Sequence, residues 1–140
     1  MHRERARARA PYCGRGYHGY GHAFLVGLPR SRTNGRPAEG LPHLERALRL
    51  QDSLPYTEPP AWYFPVRHVL GAVLIEAGYP DEAEVVYWTD LREHPDNGYA
   101  LFGLAQSLRA QDRDDEAEMI AERFDEAWAL ADVELTTSRF

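Results

Sequence analysis

Residues 64–97 read FPVRHVLGAVLIEAGYPDEAEVVYWTDLREHPDN, and this stretch decides the fold. Its apolar residues recur at three- and four-residue spacing on both sides of Gly78, the pattern of two amphipathic helices joined by a turn that glycine accommodates. Pro80 suits an early position of the second helix, and Pro95 ends that helix. The stretch therefore predicts a helical hairpin.

The next 34 residues, 98–131, repeat the pattern. Counting from Phe64 or from Gly98, large residues fall at positions 7 and 11, and small residues fall at positions 8 and 20. Small residues at those positions allow the two helices of a hairpin to approach closely, and large ones fill the surrounding space. The residues predicted to carry this repeat packing are Leu70, Gly71, Leu74, Ala83, Tyr87, Pro95, Leu104, Ala105, Leu108 and Ala117.

The sequence around these two units divides into four further segments. Residues 38–52 carry an apolar stripe and match the second helix of a preceding unit, whose first helix has no counterpart, so we expect this helix to expose its apolar face. Residues 53–63 form a proline-interrupted insertion, and residues 132–140 form a tail without a clear period. Residues 1–37 form an irregular basic head, predicted to be disordered or to lie outside the true coding sequence.

The two units resemble the tetratricopeptide repeat family over about residues 35–130. More narrowly, the stretch Glu58–Arg67 and the ending Trp128–Asp132 look like the C-terminal end of bacterial proteins of this family. The resemblance implies an all-α fold: a short right-handed helical solenoid of about two and a half helix-turn-helix repeats behind the irregular head. It also implies a scaffold that binds a protein or peptide partner and has no catalytic activity.

In such a solenoid the first helices of the units line the inner face, so partner contacts are expected there. The candidate partner-binding residues are Trp62, Arg67, His68, Ala72, Tyr99, Phe102, Gln106 and Arg109. Family members that capture a peptide carboxylate use Lys and Asn on this face, and this chain has neither at the corresponding positions. Arg67 is expected to stack on Trp62 or to pair with Glu58, because it lies about one helical turn beyond them.

Composition excludes several other classes of protein. Residues 1–40 carry eight Arg and two acids, a net charge of +6, whereas residues 41–140 carry eight Arg and twenty acids, a net charge of −12. An acidic folded region argues against nucleic-acid binding. No apolar run approaches the roughly 20 residues of a membrane-spanning helix, and no secretory signal is recognisable. We therefore expect a cytoplasmic protein without a membrane partner.

Two alternatives to a binding scaffold remain open. The first is a metal-binding or enzymatic protein whose ligands lie in the head, where Cys13, His18 and His22 have suggestive spacing, or in a missing N-terminal part. Structural zinc sites usually need four ligands, so neither a metal nor another cofactor is expected here. The second is a fragment of a larger repeat protein, for which self-association would cover the incomplete first unit. The acidic clusters at helix starts complement the helix dipole, so no catalytic residue is predicted.

Overall fold

The structure is a computed structural model that describes residues 23, 36–55 and 65–139. The described part of the chain is all-helical, with no strand. A short 3-10 turn, Pro37–Gly40, precedes five helices. They are α1 (Leu41–Asp52), α2 (Val66–Glu76), α3 (Pro80–Glu93), α4 (Gly98–Arg109) and α5 (Asp114–Trp128).

Each helix packs against the next one in the chain, and α2 also contacts α4. The first helix of the hairpin predicted over residues 64–97 begins at Val66, and Pro65, with an extended backbone and ψ of 122°, is its N-cap residue. Pro80 stands at the start of α3 as expected, where its missing N–H costs no hydrogen bond. No helix in the described ranges is long and apolar enough to cross a membrane.

The 34-residue period is present in the backbone hydrogen bonds as well as in the sequence. In the turn between α2 and α3, the Tyr79 N–H donates to the Leu74 carbonyl at 2.9 Å. In the turn between α4 and α5, the Arg113 N–H donates to the Leu108 carbonyl at 3.1 Å. Donor and acceptor are each displaced by one period, so the two hairpins close with the same turn geometry.

The left-handed residue of each turn occupies the same place in its unit. Gly78 has φ of +85°, which glycine adopts without a steric penalty. The corresponding residue of the second unit, Asp112, has φ of +59°. Aspartate is among the few residues with a side chain that visit this region. The turn is therefore conserved in shape between the units although the residue differs.

The core centres on the ring of Tyr87, which is completely buried. A Cβ atom on Gly71 of α2 would lie 2.6 Å from the Tyr87 hydroxyl oxygen, and one on Gly103 of α4 would lie 2.5 Å from it. The α3 tyrosine is thus held between the bare backbones of α2 and α4. The residues of the predicted repeat packing are all buried except Pro95, which lies in the exposed turn after α3.

The expectation that α1 exposes its apolar face is wrong in this structure. Leu44 and Ala47 are completely buried, and Ala23 joins the same core cluster. The large hydrophobic residues that are exposed in the described part lie elsewhere: Tyr79, Val85, Trp88, Met119, Leu130 and Val133. The half-unit 38–52 is therefore covered, because α1 packs on α2 while Ala23 belongs to the same cluster.

Candidate peptide groove

The C-terminal tail returns to the middle of the molecule after α5. Residues 131–139 form neither helix nor strand. The tail leaves α5 with the Trp128 indole N–H donating to the Val133 carbonyl at 2.6 Å. It then reaches Ser138, which is completely buried against residues of α2 and α3. A non-helical segment is thus anchored to helices about 50 to 70 residues earlier in the chain.

The Ser138 hydroxyl lies between a hydroxyl and a main-chain carbonyl. Its Oγ donates to the His68 carbonyl at 3.1 Å, and it lies 2.5 Å from the Tyr87 phenol oxygen. Because a serine hydroxyl has only one proton, which goes to the carbonyl, the Tyr87 hydroxyl donates to Ser138. Burial raises the pKa of the Tyr87 phenol well above its usual range, which keeps this donor protonated. The arrangement selects a small side chain that both accepts and donates.

Arg139 follows with an ion pair to α2. Its Nη2 lies 2.5 Å from Glu76 Oε1, and its side chain is 13% exposed. Its Nη1 is buried without a hydrogen-bond partner in the described structure. A buried donor that is left unpaired is costly, so Glu76 satisfies the guanidinium only in part.

A cavity of about 480 Å³ lies beside the tail between α2 and α4. We call this cavity, together with the tail's path along it, the tail groove. Its walls are formed by Ala72, Ile75, Glu76, Gln106 and Arg109 of the helices, with Thr136 and Thr137 of the tail. The predicted inner-face residues Ala72, Gln106 and Arg109 thus line one cavity, and the tail forms part of the wall.

A buried polar cluster supports the end of this groove. The Asn97 amide nitrogen donates to Asp90 Oδ2 at 2.9 Å, and His68 Nε2 lies 3.2 Å from the same oxygen. The Asn97 side-chain oxygen accepts from the Tyr99 N–H, which caps the start of α4. The cluster therefore joins α2, α3 and the first turn of α4, and it holds the His68 backbone that receives Ser138.

Two other predicted partner-binding residues pack onto α5. Tyr99 meets Trp128 edge-on with ring centroids 5.5 Å apart, and Phe102 lies 5.4 Å from Phe124. Phe124 and Trp128 in turn stack on each other at 5.7 Å. These aromatic residues hold α5 against α4, so Tyr99 and Phe102 have a packing role that inner-face position alone does not reveal.

The remaining residues singled out in the sequence are Arg67 with its expected partners and the possible metal ligands of the head. The Arg67 guanidinium pairs with Asp52 of α1 at 2.8 Å, a partner that the sequence did not indicate. The contacts expected with Trp62 or Glu58 stay predictions, because these two residues and most of the insertion lie outside the described residues. Cys13, His18 and His22 also lie outside them, as does most of the head. Within the described ranges, no group of three His, Cys, Asp or Glu residues is placed to hold a metal ion.

Several residues of the site were not found from the sequence. Ser138, Arg139, Glu76, Asp90 and Asn97 form the tail contacts and the polar cluster, and none belongs to the repeat pattern. Asn97 carried a usable signal, because asparagine is a favoured residue directly before a helix. Gly103 carried another, because glycine in the middle of a helix is unfavourable unless its missing side chain is needed. For polar residues such as Ser138 no local signal exists.

Comparisons with protein-family models, with curated proteins and with solved structures each returned no match. The evidence for a function therefore comes from the tail groove: its cavity and its contacts with Ser138 and Arg139.

Proposed function

We propose that this chain is a non-catalytic protein-interaction module, a short right-handed solenoid of the tetratricopeptide type that binds an extended peptide in the tail groove. The 34-residue period in helix bounds and turn hydrogen bonds supports the repeat assignment. The contact between α2 and α4, the first helices of successive units, supports an inner face made of these helices.

The single observation that carries the proposal is the placement of the chain's own tail. A non-helical segment that bends at residues 136–138 lies against α2 and α4. Its Ser138 hydroxyl donates to the His68 carbonyl, and its Arg139 side chain forms an ion pair with Glu76. Pockets for particular side chains give peptide-binding grooves their specificity. A surface that accepts one such segment is suited to accept another.

The proposal is tested by panning the full chain against a library of random peptides and measuring the affinity of the enriched peptides. Arg109 lies in the groove wall, and we expect Arg109→Glu to weaken the binding of the enriched peptides at least fivefold. Arg92→Glu is the matched control, because Arg92 is an exposed arginine in the last turn of α3. The proposal fails if no peptide is enriched on either the full chain or its Arg139→Ala variant, whose tail lacks its ion pair to Glu76, or if both substitutions have the same effect.

A further inference from the structure

We infer that the tail groove recognises a serine followed directly by an arginine, and that the chain's own Ser138–Arg139 is an internal copy of the segment that a partner protein supplies. This inference rests on the proposed function and adds the chemistry of the peptide to it. Two subsites, an unpaired guanidinium nitrogen and free space beside the tail support it.

The first subsite is complementary to a serine hydroxyl. It offers one donor, the Tyr87 hydroxyl, and one acceptor, the His68 carbonyl, and the occupying side chain is completely buried. An alanine would leave the Tyr87 hydroxyl buried without a partner, which is unfavourable, whereas the His68 carbonyl would keep only its hydrogen bond within α2. Larger side chains would meet the Tyr87 ring, which the close backbones at Gly71 and Gly103 keep in place. Serine matches the subsite in both size and hydrogen bonding.

The second subsite is complementary to a cation. Glu76 faces Arg139, and residues 41–140 carry a net charge of −12. A carboxylate in place of the guanidinium would be repelled by Glu76. Arginine presents a planar group with several donors, so a single carboxylate leaves part of it available for further contacts. The subsite therefore favours a basic residue directly after the serine.

The internal segment is an imperfect ligand. Arg139 Nη1 is buried without a partner, and about 480 Å³ of space remains beside Thr136 and Thr137. A partner segment would gain contacts that the tail lacks if it fills this space and if the second terminal nitrogen of its own arginine finds an acceptor. The tail nevertheless competes strongly, because a tethered segment acts at a high effective concentration. Binding of a separate peptide is thus expected to depend on how firmly the tail is held.

The test uses the full chain and a fluorescein-labelled peptide, DVELTTSRF, which copies residues 132–140. Fluorescence anisotropy measures its binding to the wild-type chain and to Arg139→Ala, in which the tail lacks its ion pair. We expect the variant to bind the peptide at least tenfold more tightly than the wild type does. Peptides with the serine or the arginine replaced by alanine are expected to bind at least tenfold more weakly to that variant.

Exchanging the charges of the Glu76–arginine ion pair tests the specificity of the second subsite. This exchange leaves the core undisturbed, because the Glu76 side chain is 39% exposed. In the Arg139→Ala background, Glu76→Arg is expected to weaken the binding of DVELTTSRF at least tenfold. This double variant is expected to bind the peptide DVELTTSEF more tightly than it binds DVELTTSRF. Circular dichroism establishes that each variant is folded. Failure of the exchange, or equal binding of the alanine-substituted peptides, overturns the Ser–Arg assignment.

The outcomes separate the two proposals. If panning yields groove-binding peptides that lack Ser–Arg, this inference is wrong while the interaction module stands. If no peptide binds even when the tail is loosened, both are wrong. If the wild-type chain forms dimers by exchanging tails, seen as a concentration-dependent mass in sedimentation, the segment comes from a second copy and the assignment to a partner protein is overturned.

Discussion

Replacement of Gly71 by alanine tests the centre of the core. The added Cβ would lie 2.6 Å from the Tyr87 hydroxyl oxygen and 2.7 Å from its Cε1, whereas ordinary contacts are about 3.5–4.0 Å. The ring has little room to retreat, because a Cβ atom on Gly103 would also lie 2.5 Å from the Tyr87 hydroxyl oxygen, so the backbones of α2 and α4 both confine this end of the ring. Overpacking of this kind costs about 1–3 kcal/mol, and we expect the upper end because the ring is confined.

Part of this cost is offset, since alanine is favoured over glycine within a helix by about 1 kcal/mol. We therefore expect Gly71→Ala to lower the free energy of unfolding by about 2 kcal/mol, which corresponds to a fall in Tm of roughly 6–12 °C. Urea denaturation followed by far-UV circular dichroism measures the free energy, and thermal scans measure Tm.

Two controls accompany this measurement. Glu122→Ala changes an exposed residue of α5 and should stay within about 0.5 kcal/mol of the wild type. Combining Gly71→Ala with Tyr87→Leu should cost less than the sum of the two single changes, because the shorter side chain makes room for the methyl group. A Gly71→Ala chain as stable as the wild type, or more so, would refute the reasoning, since helix propensity would then act without steric opposition.

Three further changes probe the polar contacts. Asn97→Ala removes the cap of α4 and a hydrogen bond to Asp90, and should cost about 2 kcal/mol in urea denaturation; a loss below about 0.5 kcal/mol would contradict these contacts. Because burial raises the pKa of Tyr87, the stability that its phenol adds is complete below pH 10.0 and declines as the pH rises beyond that value. Above pH 10.0 the free energy of unfolding of Tyr87→Phe should therefore fall less steeply with pH than that of the wild type. Equal slopes would count against the buried phenol. The hydrogen bond from Arg113 lowers the pKa of Glu116, so the wild type should be more stable than Glu116→Gln above pH 4.5 and lose this advantage in acid. An advantage in the free energy of unfolding that grows in acid would contradict the lowered pKa.

The helices and their period were predictable because both are local properties of the sequence. The spacing of apolar residues, Pro80 at a helix start and Gly78 in a turn each act within a few residues. The repeat register also placed Tyr87 in the core, and in the structure its side chain is completely buried. The next residue, Trp88, is 40% exposed, because adjacent helical residues differ by about 100° in direction.

The covering of α1 was predicted wrongly, and the Asp52 partner of Arg67 was not foreseen, because both depend on which segments meet. An apolar stripe shows that Leu44 will be buried if something covers it, but the stripe does not say what. Arg67 has acids before it in sequence at several distances, and only the packing of α1 on α2 brings Asp52 within 2.8 Å. Charge attraction falls off with distance in space, which sequence separation does not report.

The amino-acid sequence by itself thus determined the helices, their 34-residue repeat and the small residues that allow close packing, because these follow from periodicity and backbone preference over short stretches. The tertiary structure alone decided that the tail lies in the groove between α2 and α4 and that Ser138 joins Tyr87 to the His68 carbonyl, 70 residues earlier. A hydroxyl can pair with any polar group that the fold brings within about 3 Å, so its partner has no signature in the sequence around it.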